Sequence, residues 1–392
     1  MMTNSVFPGP TAPLASRTAR GIQEDGTDHA LDAVSRTFTG STVSKSLTPR
    51  SEPDFMLAEF ITAMPKAELH VHLEGTIEVA DMFRYAQRNA VNLPWGTEDE
   101  LRAAYTYKNL GDFLALFWQG CRVLTTREDF YDLTLAYLQR AHAQGVVYAE
   151  MSYAPQNFLP RGITVDHQIG GISDAIAYAR EDLGTDAEIL VIVQRHRSEA
   201  EGLELLDLIR PHRDSVLGIS LGGPETNNPP AKFARLYARA RDEGYRLTAH
   251  AGEEAPATYI AEAINKCKVE RIDHGYTAFQ DPLLVTRLVD EGIPLTMCPL
   301  SNQRLQISDD LSTYPLAHYL QAGVSVSVNS DDPSYFGGYV NENFEALVTH
   351  LGIGKAELLQ LVRNSFTGSF ASSSQIGAGL AAVDKFEQFW NN

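Results

Sequence analysis

Two histidines in the run from Ala67 to Gly75 have the spacing of metal ligands. If this run is a β-strand, its period of two places His70 and His72 on one face and Val71 on the other. Neutral imidazole is a good ligand for zinc, and a strand holds two such rings at a fixed separation. A His-x-His pair is also ordinary on a half-exposed strand, so the remaining ligands must come from other parts of the chain.

Further polar side chains follow other short apolar runs, at the points where these runs end. Taken singly, each has an ordinary structural explanation, because Asp332-Pro333 is a common turn and a lone His274 is more often a buried core histidine. Taken together, three histidine-bearing runs and a double aspartate predict a metal site if all the runs end on one rim. These ends are His70 to Glu74, Leu221 to Glu225, His250 to Glu254, Asp273 to Gly275, Cys298 to Asn302 and Asn329 to Pro333.

The elements that must hold these residues repeat one unit, in which an apolar run is followed by a polar loop and a helical pattern. The helical stretches are long enough for right-handed crossovers between parallel strands. Eight such units over about 330 residues predict an α/β fold, the (β/α)8 or TIM barrel, whose active site lies at the C-terminal ends of the strands. The candidate strands are Glu68 to Leu73, Val146 to Tyr153, Ile189 to Gln194, Val216 to Leu221, Arg246 to His250, Arg271 to His274, Pro294 to Cys298 and Val324 to Asn329.

The spacing of the units also predicts how the chain divides. Residues 77 to 145, between the first two strands, have helical periodicity throughout, and we expect this insertion to lie over the barrel mouth and cover a substrate. Residues 1 to 52 are rich in Ser, Thr, Gly, Pro and Ala without apolar periodicity. We therefore expect a disordered N-terminal tail, followed by one barrel domain over residues 53 to 392.

Composition argues against several classes of partner. The 392 residues carry a formal net charge of −18, which disfavours nucleic acid and anionic membranes as partners. No apolar run reaches the length of a membrane span, and the N-terminus lacks a basic region followed by an apolar one. The three cysteines are far apart, which fits a reducing compartment, and we expect a cytoplasmic protein. The oligomeric state is left open by the sequence.

Five motifs, in order along the chain, are similar to those of the adenosine/adenine deaminase family. The resemblance runs from about Phe55 to about Phe370 and implies a (β/α)8 barrel with one zinc ion per chain. The motifs are Pro65-Lys66-Ala67-Glu68-Leu69-His70-Val71-His72-Leu73-Glu74-Gly75, Thr248-Ala249-His250-Ala251-Gly252-Glu253, Arg271-Ile272-Asp273-His274-Gly275, Cys298-Pro299-Leu300-Ser301-Asn302 and Ser330-Asp331-Asp332-Pro333.

The resemblance implies zinc-dependent hydrolytic deamination of a 6-aminopurine, with the purine and water as the reacting partners. Zinc supplies hydroxide at neutral pH by lowering the pKa of its bound water to about 7. The implied zinc ligands are His70, His72, His250 and Asp331.

The remaining implied roles concern proton transfer and recognition of the purine edge. By resemblance, Glu253 protonates ring nitrogen N1, and His274 orients the attacking water and accepts its proton. Asp332 resembles the residue that bonds purine N7, and the backbone N–H of Gly223 resembles the donor to N3. Protonation of N1 requires Glu253 to be a neutral acid, so we expect its pKa to be raised in a dry pocket.

The motifs also bear on which aminopurine is the substrate. Glu74 stands where the adenosine-specific branch usually has an aspartate for the ribose 5′-hydroxyl, and the longer side chain fills space that a sugar would need. The run from Tyr335 to Tyr339 also resembles the adenine deaminase branch, so we expect adenine to be converted to hypoxanthine and ammonia in purine salvage. The runs Leu221 to Glu225 and Ser152 to Phe158 depart from that branch. Adenosine, another adenine-containing nucleoside or an N6-substituted adenine therefore stay as alternatives.

Two other functional classes are compared with this one. Another metal-dependent barrel hydrolase would share the His-x-His pair, but such enzymes usually carry two metals bridged by a modified lysine or a glutamate. No lysine stands at the ends of candidate strands three to five. A barrel kept only for binding would have lost Glu253, His274 or a metal ligand, and all are present.

Overall fold

The computed structural model describes residues 54–390, and its centre is an eight-stranded sheet in which every neighbouring pair is parallel. The spatial order of the strands is their order along the chain, as expected when a helix returns the chain after each strand. The strands are β1 (Lys66–His72), β2 (Val146–Tyr153), β3 (Asp186–Gln194), β4 (Gly218–Gly222), β5 (Arg246–Ala251), β6 (Arg271–His274), β7 (Leu295–Met297) and β8 (Val326–Val328).

The sheet curls so that its first strand meets the segment that follows its last one. Val71 forms an isolated parallel bridge with Asp331. The backbone N–H of His72 donates to the carbonyl of Asp331 at 2.8 Å, and the N–H of Asp331 donates to the carbonyl of His70 at 3.0 Å. The predicted (β/α)8 barrel is confirmed, and its closure places the first predicted metal motif directly beside the last one.

Helices surround the barrel because the segments between the strands carry apolar residues at helical spacing and begin with capping residues. Thr126 and Ser198, for example, each start a helix with a capping box. The helices are α1 (Asp54–Ala63), α2 (Val79–Arg88), α3 (Glu98–Ala104), α4 (Leu110–Gly120), α5 (Arg127–Ala143), α6 (Val165–Asp182), α7 (Glu199–Ile209), α8 (Ala234–Asp242), α9 (Ala257–Glu262), α10 (Pro282–Asp290), α11 (Pro299–Arg304), α12 (Leu316–Ala322), α13 (Pro333–Phe336), α14 (Val340–Leu351), α15 (Lys355–Thr367) and α16 (Ser373–Trp390).

The core lies between the outer faces of the strands and these helices, and it continues into the barrel. Strands such as β3 and β4 are buried along almost their whole length, which explains their apolar sequences. Helices α2 to α5 all fall between β1 and β2. An aromatic cluster joins α4 to α13 at the top of the barrel, with Phe113 against Phe336 at a ring distance of 4.6 Å and Phe117 against Tyr335 at 5.9 Å.

Two further predictions concern the N-terminal tail and membrane-spanning segments. The N-terminal tail predicted for residues 1–52 lies outside the described residues, so the division of the chain at residue 53 stays a prediction. Within residues 54–390, no helix combines the length and the apolar character that crossing a membrane requires.

Candidate active site

One pocket opens at the C-terminal ends of the barrel strands, where the polar runs meet. Its floor contains the histidines and aspartates of four motifs, and its roof is the apolar face of α4. The residues that line it are His72, Glu74, Leu110, Phe113, Leu114, Phe117, Trp118, Ala154, Asn157, Ile192, Gln194, His196, Gly222, Gly223, His250, Glu253, His274, Leu305, Asp331, Asp332 and Phe336.

Three imidazole nitrogens and one carboxylate oxygen converge at the bottom of this pocket. The Nε2 atoms of His72 and His250 are 3.1 Å apart. The Oδ1 atom of Asp331 lies 3.1 Å from Nε2 of His72 and 3.4 Å from Nε2 of His70. The structure therefore brings together all four residues that were predicted to hold a metal, although they come from β1, β5 and the segment after β8.

The geometry of this cluster fits a tetrahedral metal ion. Ligand atoms at about 2.0–2.1 Å from a zinc ion lie about 3.3–3.4 Å from one another. Three of the six pairwise separations among these residues, at 3.1–3.4 Å, match that spacing. Candidate ligand atoms of His70, His250, His274 and Asp331 also lie within 4.8 Å of one another. In addition, Nε2 of His70 is buried without a hydrogen-bond partner among residues 54–390, which is costly unless the atom binds something. The donor set and the unpartnered nitrogen both fit a metal site.

Two residues of the site have backbone conformations that side-chain-bearing residues rarely adopt. His274 and Asp331 have φ angles of 65° and 64°, in the left-handed region. Such conformations cost about 1 kcal/mol or more and persist where the surrounding structure holds them. His274 is the last residue of β6 and Asp331 follows the end of β8 by three residues, and the side chains of both line the pocket.

Glu253 and His274 face each other beside the metal cluster. Oε1 of Glu253 lies 3.7 Å from Nε2 of His274, which is 3.8 Å from Oδ2 of Asp331. Burial raises the pKa of the Glu253 carboxyl well above its ordinary value, and the nearby carboxylates of Asp331 and Glu225 raise it further. Burial also lowers the pKa of His274 to about 3. The pair thus consists of a neutral acid and a neutral base.

The opposite side of the pocket presents groups that can read a flat ring. Asp332 is 4% exposed, and burial together with the charge of Asp331 raises the pKa of its carboxyl well above the ordinary value. Gly75 packs so closely that an added Cβ would lie 2.1 Å from Oδ1 of Asp332. Gly223 has a φ of 95°, which only glycine adopts freely, and it lines the same pocket.

Comparison with known proteins assigns the family. The family model described as adenosine deaminase matches residues 65–386. The chain belongs to the adenosine deaminase family. An adenine deaminase of Cupriavidus pinatubonensis is 46% identical over 333 residues, which is 85% of this chain and 95% of that one. The crystal structure of an adenine deaminase from Arthrobacter aurescens matches with a TM-score of 0.82 and 44% identity, and the match covers 83% of this chain and all of that one. A zinc-bound amidohydrolase from Burkholderia ambifaria matches with a TM-score of 0.79, 28% identity and coverage of 85% and 93%.

Glu74 occupies the side of the pocket next to β2 in this adenosine deaminase family protein. Its Oε1 accepts hydrogen bonds from the backbone N–H of Ala154 at 2.9 Å and from Nδ2 of Asn157 at 3.3 Å. Its Oε2 is buried and unpartnered within the described part of the chain. Nε2 of Gln194 donates to Oδ1 of Asn157 at 2.6 Å, so a short polar network fixes the glutamate.

Glu225, for which the sequence predicted no role, holds the loop that carries Glu253. Its carboxylate accepts four backbone N–H groups, those of Gly252, Glu253, Glu254 and Ala255, at 2.7–3.0 Å. The buried guanidinium of Arg195 lies 3.8 Å from the same carboxylate and donates to the carbonyl of His250 at 2.8 Å. The only sign of this role in the sequence was a glutamate at the end of the run from Leu221 to Glu225.

Glu68 is part of the first motif, but the motif does not predict which residues it contacts. It is buried in β1 and accepts hydrogen bonds from the backbone N–H of Ser330 at 3.1 Å and from its hydroxyl at 2.5 Å. The Tyr137 hydroxyl donates to its other oxygen at 2.8 Å. Glu68 therefore anchors the residue immediately before Asp331.

Proposed function

We propose that this protein is a zinc-dependent adenine deaminase, which converts adenine and water to hypoxanthine and ammonia, a reaction of purine salvage. The observation that carries the proposal is the likeness, over most of the folded chain, to proteins that are named adenine deaminase. The pocket supports it independently, because it combines a metal-ligand cluster, a neutral carboxylic acid and a neutral imidazole within reach of one small molecule.

One zinc ion per chain is the proposed cofactor, held by His70, His72, His250 and Asp331. Three nitrogens and one carboxylate oxygen suit zinc, and a related amidohydrolase was crystallised with zinc bound. When bound, zinc supplies the acidity that lets water act as a nucleophile at neutral pH.

Glu253 and His274 carry the proton transfers in this proposal. The neutral carboxylic acid of Glu253 donates its proton to N1 of the purine, which makes C6 electrophilic. His274 accepts one proton of the water as its oxygen adds to C6, and returns it to the departing 6-amino group, so that ammonia leaves. The remaining proton of the C6 hydroxyl passes to the carboxylate of Glu253, which forms the carbonyl of hypoxanthine and restores the neutral acid. The raised pKa of Glu253 and the lowered pKa of His274 match the protonation states with which this sequence begins.

Asp332 and Gly223 would fix the ring in place by reading its edge. N7 and N3 of adenine are hydrogen-bond acceptors, so both need donors. The neutral carboxyl of Asp332 can donate to N7, and the backbone N–H of Gly223 can donate to N3. Since these contacts involve only the base, they leave the substituent at N9 to other residues.

Glu74 would select the free base. Adenine has an N9–H donor, whereas adenosine carries a sugar at this nitrogen. The unpartnered Oε2 of Glu74 lines the pocket, and its side chain is held by Ala154 and Asn157 against movement out of the way. A carboxylate held in this position can accept a hydrogen bond from N9–H of adenine. It also occupies space that a sugar at N9 would need, so both effects favour the free base.

The proposal is tested by following ammonia release from the purified protein with adenine, adenosine and isopentenyladenine in parallel. We expect adenine to have the highest kcat/KM, and comparable turnover of adenosine would overturn the preference for the free base. Replacing Glu253→Gln should lower kcat for adenine by about 10²–10⁴-fold with zinc retained. The matched control is Glu254→Gln, since that neighbouring side chain is exposed and should leave kcat unchanged. Full activity of the Glu253→Gln variant, or no activity of the wild type on any of the three substrates, would contradict the proposal.

A further inference from the structure

Asp273 is a buried carboxylate beneath the metal cluster to which no role has been given so far. It is 2% exposed and lies in β6. The strand register places it opposite His250 of β5 on one side and opposite Thr296 of β7 on the other. Because laterally paired residues of parallel strands lie side by side, the carboxylate is positioned to contact groups beneath two of the metal-binding histidines.

A directed chain of hydrogen bonds connects Asp273 to His70. The hydroxyl of Thr296 donates to Oδ1 of Asp273 at 3.0 Å, and Nδ1 of His70 lies 3.0 Å from the same hydroxyl oxygen. An ionised carboxylate only accepts hydrogen bonds, so the single hydroxyl proton of Thr296 must point to Asp273. The threonine oxygen then accepts from His70, which requires the proton of that imidazole to be on Nδ1.

We propose that Asp273 is a positioning residue that sets the protonation pattern of two metal-binding histidines, acting on His70 through Thr296 and on His250 directly. With the proton on Nδ1, the lone pair of each Nε2 atom faces the metal cluster. A ligating imidazole needs this arrangement, since its other nitrogen usually donates to a fixed acceptor. The inference rests on the metal site proposed above and adds the group that prepares it.

The surroundings of His250 agree with this role. Its Nε2 faces His72 in the cluster, whereas its Nδ1 lies 3.7 Å from Oδ2 of Asp273. That Nδ1 atom is buried and forms no hydrogen bond to any residue from 54 to 390. Oδ2 of Asp273 is thus the carboxylate oxygen beside this Nδ1 atom, although 3.7 Å is longer than a hydrogen bond.

The position and the charge of Asp273 are fixed by other contacts. Ser220 of β4 donates to Oδ2 at 2.9 Å, and Nε of Arg271 lies 3.8 Å from Oδ1. Arg271 is itself held by Glu150 at 2.6 Å. The carboxylate of Asp273, which must accept the hydrogen bond from Thr296, is therefore held in place.

The test measures the dissociation constant of Zn²⁺ by competition with a chelator of known affinity, which does not depend on catalysis. Thr296→Val keeps the shape of the side chain but removes the hydroxyl, and we expect zinc binding to weaken by about 10-fold. Asp273→Asn should weaken it by about 100-fold, because an amide that donates to Thr296 turns that hydroxyl toward His70 and drives the imidazole proton to Nε2. Ser220→Ala is the matched control. It also removes a hydrogen bond to the carboxylate of Asp273, but within residues 54–390 the hydroxyl of Ser220 has no hydrogen bond to a histidine. This variant should change zinc affinity by no more than about twofold.

The outcomes separate this inference from the proposed function. The inference is overturned if Thr296→Val binds zinc as tightly as the wild type. It is also overturned if Ser220→Ala loses as much zinc affinity as Thr296→Val. The double variant Thr296→Val with Asp273→Asn should bind zinc no more weakly than Asp273→Asn alone, and multiplicative losses would contradict a shared chain. If Asp273→Asn does not fold, as judged by circular dichroism, the comparison of Thr296→Val with Ser220→Ala decides. A wild-type protein that binds no zinc overturns the proposed metal site instead.

Discussion

Replacement of Glu74 by aspartate is the sharpest test of how the pocket chooses between adenine and adenosine. The shorter side chain withdraws the carboxylate by about 1.5 Å. It therefore gives up the hydrogen bonds to Ala154 at 2.9 Å and to Asn157 at 3.3 Å. Both bonds lie within the protein and fix the carboxylate, so the change in kcat/KM comes from the contact that they position. Loss of the hydrogen bond from N9–H to Glu74, at about 1.5 kcal/mol, lowers kcat/KM for adenine by about 10-fold. The substitution also removes one methylene group, and the space that this opens should raise kcat/KM for the larger substrate, adenosine, by about 10-fold or more.

The measurement is kcat/KM for adenine and adenosine, by ammonia release, in wild type and in the Glu74→Asp variant. We expect the ratio of adenosine to adenine to rise by about 100-fold or more, since the two effects multiply. Glu254→Asp, an identical change at an exposed position, controls for nonspecific effects. A variant whose substrate ratio equals that of the wild type would refute the reasoning, because Glu74 would then neither exclude the sugar nor accept N9–H.

Three further predictions concern the support of the site and of the barrel. Gly75→Ala places a Cβ against Asp332, so KM for adenine should rise by about 10-fold with zinc content unchanged, and an unaltered KM would contradict this packing. Glu225→Gln replaces one of the two acceptor oxygens by a donor and removes the negative charge beside the buried Arg195, so thermal unfolding should show a loss of about 3–5 kcal/mol and kcat should fall; normal stability and kcat would contradict the role of Glu225 in holding this loop. Burial lowers the pKa of Lys66 to about 7 from 10.5, so the unfolded chain binds the extra proton between these values and stability rises with pH by about 1.4 kcal/mol per unit. Lys66→Met should flatten the increase of Tm between pH 7 and 9, and a slope equal to that of the wild type would be the contrary result.

The barrel was predictable because its signals are local. A period of two in β1 places His70 and His72 on one face, and apolar runs followed by polar loops and helical patterns identified all eight strands at nearly the right positions. The last two strands are shorter than predicted, at Leu295–Met297 and Val326–Val328. Asn329, expected within the eighth strand, still donates its backbone N–H to the carbonyl of Met297 at 3.0 Å, but on the side of β1 its side-chain oxygen accepts from the backbone N–H of Leu69 at 2.8 Å. Side chains that replace backbone pairing at a strand end leave no mark in the hydrophobic pattern.

The carboxylates that support the site were not predictable, because their roles depend on contacts between distant parts of the chain. Glu225 bonds a loop 27 to 30 residues further on, and Glu68 bonds Ser330, which is 262 residues away. Asp273, in β6, gains its partners in β4 and β7 only when the strands from β4 to β7 are assembled in the barrel. A sequence shows that an acidic residue ends an apolar run, but the identity of the donors around it follows from strand order and register.

The most direct test of the account is elemental analysis of the purified, active protein, combined with adenine deamination before and after removal of its metal. We expect one zinc per chain, loss of turnover when a chelator removes the zinc, and recovery when zinc is added back. Undiminished deamination of adenine by protein from which all metal has been removed would contradict the claim that three imidazoles and a carboxylate hold a catalytic zinc ion.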